Sequence, residues 1–241
     1  MKVRVHTLMW GDAWKRYGRN FAQSFYRYWP ESISLTIYTD APIRELPDTR
    51  QRLLSECRHI VAFAERYAGN PKAEGRESGD CKAAPGKRFW KHDAVKWAPQ
   101  AMVPFYELQD LDRGDILIWL DADVETIASI DEGWPEAILA GKHVAAVWRG
   151  RQHPDIGFWA IRNTMDTASA VRAMHDYYDG GGIFALPEWH SAYAWQIAMN
   201  AIPEAQRNNL NPEGLTGHPW PRTILAKHLV HHKGKLKDRI R

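Results

Sequence analysis

An α/β fold with a mostly parallel central sheet flanked by helices is predicted by three features of the chain. It opens with a strand, a helix and a strand; it carries five consecutive apolar residues near its middle; and further apolar segments follow, separated by stretches of helical period. A strand, helix and strand in that order form a right-handed crossover, which lays the two strands parallel.

Val3 to Met9 alternates in part and reads as the first strand, ended by the turn Trp10-Gly11-Asp12. Trp14, Tyr17, Phe21, Phe25 and Tyr28 then recur at three- and four-residue spacing as one helix face that Pro30 closes. Ser34 to Thr39 is the second strand, ended by Asp40-Ala41-Pro42. A short helix is expected over Arg50 to Glu56, and a third short strand over Ile60 to Phe63. Residues 69–86 are rich in Gly, Pro, Lys, Glu and Ser without a period, so a long mobile loop is expected there. Phe89 to Met102 suggests a broken helix, interrupted by Pro99 and Pro104. Ile116 to Leu120 is the mid-chain strand, and residues 143–148 and 156–161 read as two more. Thr167 to Tyr178 and Glu188 to Asn200 read as helices, and Thr223 to Val230 as an ordered strand. No repeat or break in composition divides the chain, and one domain over residues 1–241 is expected.

Composition removes several classes. With 44% hydrophobic and 25% charged residues over 241, the chain belongs with globular proteins. No apolar run approaches the roughly 18–20 residues of a membrane span, and no membrane partner is expected. The first residues lack the pattern of a signal peptide, so a cytoplasmic location is expected. Two cysteines cannot make a disulfide scaffold or a four-cysteine zinc site. The formal net charge of +3 hides an uneven distribution. There are seven Lys or Arg against four acids from Glu65 to His92, and seven against one from Arg222 to Arg241, leaving the remainder acidic. Two basic segments on an acidic body suit a phosphate-bearing ligand or a polyanion, the alternative being a solvated loop and tail. Twelve tryptophans supply faces for stacking on sugars or bases as well as core.

The chemistry concentrates in Asp115-Ile116-Leu117-Ile118-Trp119-Leu120-Asp121-Ala122-Asp123-Val124. Five apolar residues imply a strand buried on both faces, and ligands of parallel sheets collect beyond the carboxyl ends of such strands. Asp121 and Asp123 stand at that end, two hard oxygen ligands suited to Mg²⁺ or Mn²⁺ on a diphosphate; a helix cap with a solvated neighbour is the plainer alternative. His228, His231 and His232 lie close to Lys233, Lys235 and Lys237, where imidazole would complete a carboxylate metal site and ammonium groups would neutralise phosphate oxygens.

The Asp121-Ala122-Asp123 segment resembles the Asp-x-Asp signature of GT-A-fold glycosyltransferases, enzymes that move a sugar from a nucleotide-sugar to an acceptor. His231-His232-Lys233-Gly234-Lys235-Leu236-Lys237 is similar to their C-terminal His-x-x-Gly-x-x-Lys segment, and Asp155-Ile156-Gly157-Phe158 to an acidic-x-Gly-Phe element on the acceptor side. The resemblance implies a GT-A-like domain, Mn²⁺ or Mg²⁺, and a UDP-sugar such as UDP-glucose as co-substrate. It implies Asp121, Asp123 and His231 as metal ligands, with Asp121 also on the donor and Lys237 on its phosphates.

Donor contacts are also expected from Trp10, Asp12 and Tyr17 after the first strand, although Trp14 and Tyr17 equally suit a helix core. Asp93 and Lys96 share a helix face, as donor ligands or as a surface ion pair. An inverting transferase needs a base for the acceptor hydroxyl, and Asp155, Glu188 and His190 are the candidates, Glu188 being equally suited to cap a helix. The resemblance implies an acidic residue just after the Trp189-His190 pair, where this chain departs from it with Ser191. The basic segments tilt the acceptor towards a hydroxymethylated pyrimidine in DNA, held by Lys72, Arg76, Lys87, Arg88 or Lys235; a glycan or lipid-linked saccharide is the alternative. A nucleotidyltransferase would show a glycine-rich loop near the first strand, which Trp10-Gly11-Asp12 is not, and a non-enzymatic nucleic-acid-binding module leaves the aspartate pair unexplained.

Overall fold

A computed structural model describes residues 1–46 and 48–233. The chain opens with β1 (Val3–Met9), a π-helical turn at Trp14–Gly18, α1 (Arg19–Tyr28) and β2 (Ile33–Thr39). The crossover is the expected one, since β1 and β2 pair parallel from Val3 with Ile33 to Met9 with Thr39. Next come β3 (Arg50–Leu53), α2 (Arg58–Tyr67), a small hairpin of β4 (Glu77–Ser78) and β5 (Cys81–Lys82), and α3 (Ala94–Leu108). Then follow β6 (Ile116–Leu120), β7 (Val124–Thr126), α4 (Trp134–Leu139), β8 (Val144–Arg149), β9 (Gln152–Arg162), α5 (Met165–Asp179), α6 (Ser191–Asn200), β10 (Arg207–Asn209) and β11 (Leu229–His231).

Seven strands form one sheet in the order β10-β8-β9-β6-β1-β2-β3. Only β9 runs against its neighbours, so the sheet is mostly parallel as expected. Helices cover both faces. Apolar side chains of α2, α3, α5 and α6 pack on one, including Phe63, Met102, Met174 and Trp195. Phe21 and Phe25 of α1 and Trp134 and Ile138 of α4 pack on the other. All five residues of β6 are buried, which accounts for its unbroken apolar run.

Three local expectations are corrected. Arg50 to Leu53 is an edge strand rather than a helix, and its charged side chains suit an edge: Arg50 and Arg52 reach Asp110 at 2.6 and 3.1 Å. Ile60 to Phe63 is helical within α2, where Ile60 and Phe63 lie three apart on the buried face; four apolar residues in a row concealed that period. Ile224–Lys227 is a 3₁₀ turn, and in this stretch only Leu229–His231 is strand. Two further segments are more ordered than expected. Helix α3 runs through Pro99 and Pro104, both buried, because its apolar side sits in the core and packing outweighs the two lost hydrogen bonds. The segment 69–86 contains the β4/β5 hairpin, and the bridge from Glu74 to Asp93 ties it to the start of α3.

Candidate active site

Strand β6 delivers its carboxylates at the point where the chain turns. Beyond Leu120 the backbone N–H of Asp121 donates to the Gly157 carbonyl (2.9 Å), and that of Val124 donates back to the Asp121 carbonyl (2.9 Å). The tight turn presents Asp121 and Asp123 together. Strand β11 then pairs antiparallel with β7, setting His231 opposite Val124, and the His232 N–H donates to the Asp123 carbonyl at 3.0 Å. His231 thereby returns to the aspartates from more than a hundred residues away. Its Nε2 lies 3.2 Å from Asp123 Oδ1 and 4.0 Å from Asp121 Oδ2.

One oxygen of Asp121 is already committed. Oδ1 accepts hydrogen bonds from Trp119 Nε1 (2.7 Å) and Gln100 Nε2 (3.0 Å), and Gln100 Oε1 accepts from the Ser191 hydroxyl (2.7 Å). The other oxygen faces His231. Burial, and then the charge of Asp123 beside it, push the Asp121 carboxyl up to about 6. Asp121, Asp123 and His231 offer ligand atoms within 4.8 Å of one another. Two carboxylates against one imidazole leave an excess of negative charge, and a hard divalent cation such as Mn²⁺ or Mg²⁺ fits that donor set.

Asp155 stands behind His231. Its Oδ2 takes the Lys233 ammonium at 2.5 Å and lies 3.5 Å from His218 Nδ1, while its Oδ1 lies 3.7 Å from His231 Nδ1. Burial pushes this carboxyl up, but His218, His231 and Lys233 outweigh it and hold the group well below the usual carboxylate range.

Two cavities meet at Asp121. One, of about 220 Å³, is lined by Trp10, Tyr17, Lys96 and Trp97 together with Asp121 and Asp123. The other, of about 280 Å³, is lined by Trp90, Trp97, Asp155, His190 and Lys233 together with Asp121. A single carboxylate therefore faces both spaces.

The remaining expected residues are placed as follows. Trp10 and Tyr17 line the first cavity, whereas Asp12 is exposed and pairs with Arg16 at 3.6 Å outside it. Lys96 lines that cavity too, its ammonium 4.6 Å from the Trp97 ring centre. Asp93 is buried and caps α3, accepting from the Lys96 backbone N–H (3.2 Å); it also borders a neighbouring space beside Trp10, Arg88 and Lys96. Glu188 accepts from Lys91 (2.7 Å), His153 (2.8 Å) and His190 (2.7 Å), and these bonds outweigh burial to hold its carboxyl down to about 2. His190 caps α6 through Nδ1, which accepts from the Tyr193 N–H, so Nε2 carries the proton given to Glu188; burial lowers its pKa to about 4. Each of the three candidate bases thus already has partners within the chain. Lys235 and Lys237 lie outside the described residues.

Sequence reasoning missed Gln100, Trp119, His153 and His218. Gln100 alone left a signal, as a polar residue within a helix that is otherwise apolar at that level.

No protein-family model matches the chain, and no curated protein does. Among solved structures, the crystal structure of mouse xyloside xylosyltransferase 1 in its apo form aligns with a TM-score of 0.54 at 8% identity, covering 94% of this chain and 92% of that one. At such identity the likeness is one of fold, and the fold is GT-A-like, as the sequence predicts.

Proposed function

We propose that this chain is a metal-dependent glycosyltransferase that moves a sugar from a nucleotide-sugar, a UDP-sugar such as UDP-glucose, to a hydroxyl acceptor. The observation that carries the reading is the convergence of Asp121, Asp123 and His231 where two cavities meet. A bound Mn²⁺ or Mg²⁺ would act as a Lewis acid that compensates the charge of the departing diphosphate.

The residues of the chain divide the remaining work. In the first cavity Trp10 and Tyr17 offer aromatic faces to the nucleoside, and Lys96 offers a charge to its phosphates. Trp119 and Gln100 hold one oxygen of Asp121, which fixes the direction of the other. In the second cavity Trp90, 52% exposed, offers a face to the acceptor, and Glu188 from behind orients His153 and His190, the latter ring 5.0 Å from that of Trp90. Lys237 stays in the proposal as a phosphate ligand on the resemblance alone.

For the acceptor we favour a saccharide hydroxyl over a hydroxymethylated DNA base, because among the described residues most cations on the acceptor side and in the 69–88 segment bond within the chain. Arg149 donates to the carbonyls of His153 (2.6 Å) and Gly217 (2.6 Å), Lys233 pairs with Asp155, Arg76 with Glu74 (2.8 Å), and Arg88 donates to the Glu74 carbonyl (2.5 Å). Of the residues expected to hold DNA phosphates, Lys72 and Lys87 are exposed and border neither cavity, and Lys235 lies outside the described residues.

Incubation with a panel of nucleotide-sugars, with and without Mn²⁺, tests the reading through release of free nucleoside diphosphate. We expect Mn²⁺-dependent release from one donor, faster with oligosaccharide than with hydroxymethylated duplex DNA and indifferent to salt. No release from any donor would overturn the reading; transfer to DNA that falls steeply with salt would overturn the acceptor class alone.

A further inference from the structure

We infer that Asp155 is a positioning residue for the metal site: from behind the imidazole it sets the His231 ring so that Nε2 faces Asp121 and Asp123, with Gly157 leaving the space in which the ring lies. The inference rests on the metal-site reading above and goes beyond it, because it gives Asp155 a task other than that of a base for the acceptor.

Three observations point the same way. The ring of His231 is bracketed by carboxylates, with Asp123 Oδ1 3.2 Å from Nε2 on one side and Asp155 Oδ1 3.7 Å from Nδ1 on the other. Nδ1 is buried without a hydrogen-bond partner, and a shift of about 0.8 Å would bring Asp155 into bonding range. Histidines that ligate metals almost always donate their second ring N–H to such a group, which fixes the tautomer and leaves the first nitrogen free for the ion.

The third observation is Gly157, two residues along β9. A Cβ there would lie 2.5 Å from His231 Cε1 and 2.8 Å from Nδ1, closer than real Cβ atoms come, so the ring occupies space that only glycine leaves. The bond from the Asp121 N–H to the Gly157 carbonyl ties the same residue to the turn that carries the aspartates. Lys233 completes the arrangement by balancing Oδ2 of Asp155 at 2.5 Å, while Oδ1 accepts from the Gly157 N–H (3.3 Å) and faces the ring. His231, Asp155 and Gly157 thus form one rigid support.

Mn²⁺ titration of the full chain, followed by loss of the free-ion electron paramagnetic resonance signal, tests the inference without reference to turnover. Asp155→Ala should weaken Mn²⁺ binding about 10- to 100-fold. Asp155→Asn, which keeps an oxygen for the Nδ1 proton, should recover most of that loss. Gly157→Ala keeps every ligand and every charge and should weaken binding through displacement of the ring alone, with circular dichroism and thermal melting reporting that the variant is folded. If Asp155→Ala and a folded Gly157→Ala bind Mn²⁺ within twofold of the parent while Asp123→Asn does not bind it, the positioning role is wrong and the metal site stands. If the parent itself fails to bind Mn²⁺, the metal site falls and the inference with it.

Discussion

Helix α3 sends one polar side chain into each of two buried clusters, and the clusters are built on opposite terms. Glu107, fully buried, accepts hydrogen bonds from Arg4 (3.0 Å) and Tyr38 (2.8 Å), with Arg52 3.5 Å away and Asp110 taking Arg50 and Arg52 at 2.6 and 3.1 Å. Two helical turns earlier, about 10 Å along the axis, Gln100 donates to Asp121, where two carboxylates face one imidazole. The first cluster meets both of its carboxylates with guanidinium groups of the chain and closes the seam between α3 and the sheet edge. The second keeps an excess of negative charge and opens on two cavities. Buried charge that serves the fold is satisfied within the chain; charge left over beside a cavity marks where something else binds.

The largest expected effect separates the two. Asp123→Asn should lower Mn²⁺-dependent release of nucleoside diphosphate by on the order of 10³-fold, because a metal-held charge in the transition state is worth several kcal/mol. The metal-free variant should melt no lower than the parent, since one of two crowded carboxylates becomes neutral. Retained turnover would erase the distinction between the clusters.

Glu107→Ala should do the reverse. It leaves Arg4, Arg52 and the Tyr38 hydroxyl without their shared acceptor, and urea unfolding should show a loss of about 3–5 kcal/mol. Mn²⁺ binding by the folded fraction should be unchanged. A loss under about 1 kcal/mol would mean that Arg4 and Arg52 find solvent or Asp110 instead.

Acid should weaken both regions through one histidine each. Burial lowers His6, whose Nδ1 lies 2.9 Å from the Ile118 carbonyl, to about 4, and lowers His190 to about 4 as well. The unfolded chain, with histidines near 6.5, binds more protons between those values, so stability is full above about pH 6.5 and falls as pH drops towards 4. Unfolding free energies from urea titrations at pH 7, 5.5 and 4.5 should decline by up to about 1.4 kcal/mol per pH unit for each histidine, and His6→Gln should flatten the decline. A free energy that does not move would show that neither ring is held neutral.

The smallest effect concerns the rim of the second cavity. Trp90→Ala should raise the acceptor KM by about 5- to 10-fold, the worth of one aromatic face, with kcat and Mn²⁺ binding unchanged. An unchanged KM would place the acceptor elsewhere.

The two clusters differ too in how legible they are in the sequence. Asp121 and Asp123 stand out because a five-residue apolar run must end where ligands collect, and the returning histidine stands in a short motif. Nothing in the sequence pairs Arg4 with Glu107, or Gln100 with Asp121, because those contacts join segments 103 and 21 residues apart and leave no local period. The same limit explains the exchanged assignments at residues 50–63. A polar edge strand looks like a loop or helix until its neighbour is known, and a helix with four apolar residues in a row looks like a strand. Two prolines predict a break in α3 that the core suppresses.

The most direct test is an anomalous-difference map from a crystal of the parent chain soaked in Mn²⁺. We expect one peak about 2.0–2.3 Å from oxygens of Asp121 and Asp123 and from Nε2 of His231, on the side of the ring away from Asp155. A peak instead among His153, Glu188 and His190, with no density beside the aspartate pair, would contradict the assignment of the open cluster as the metal site.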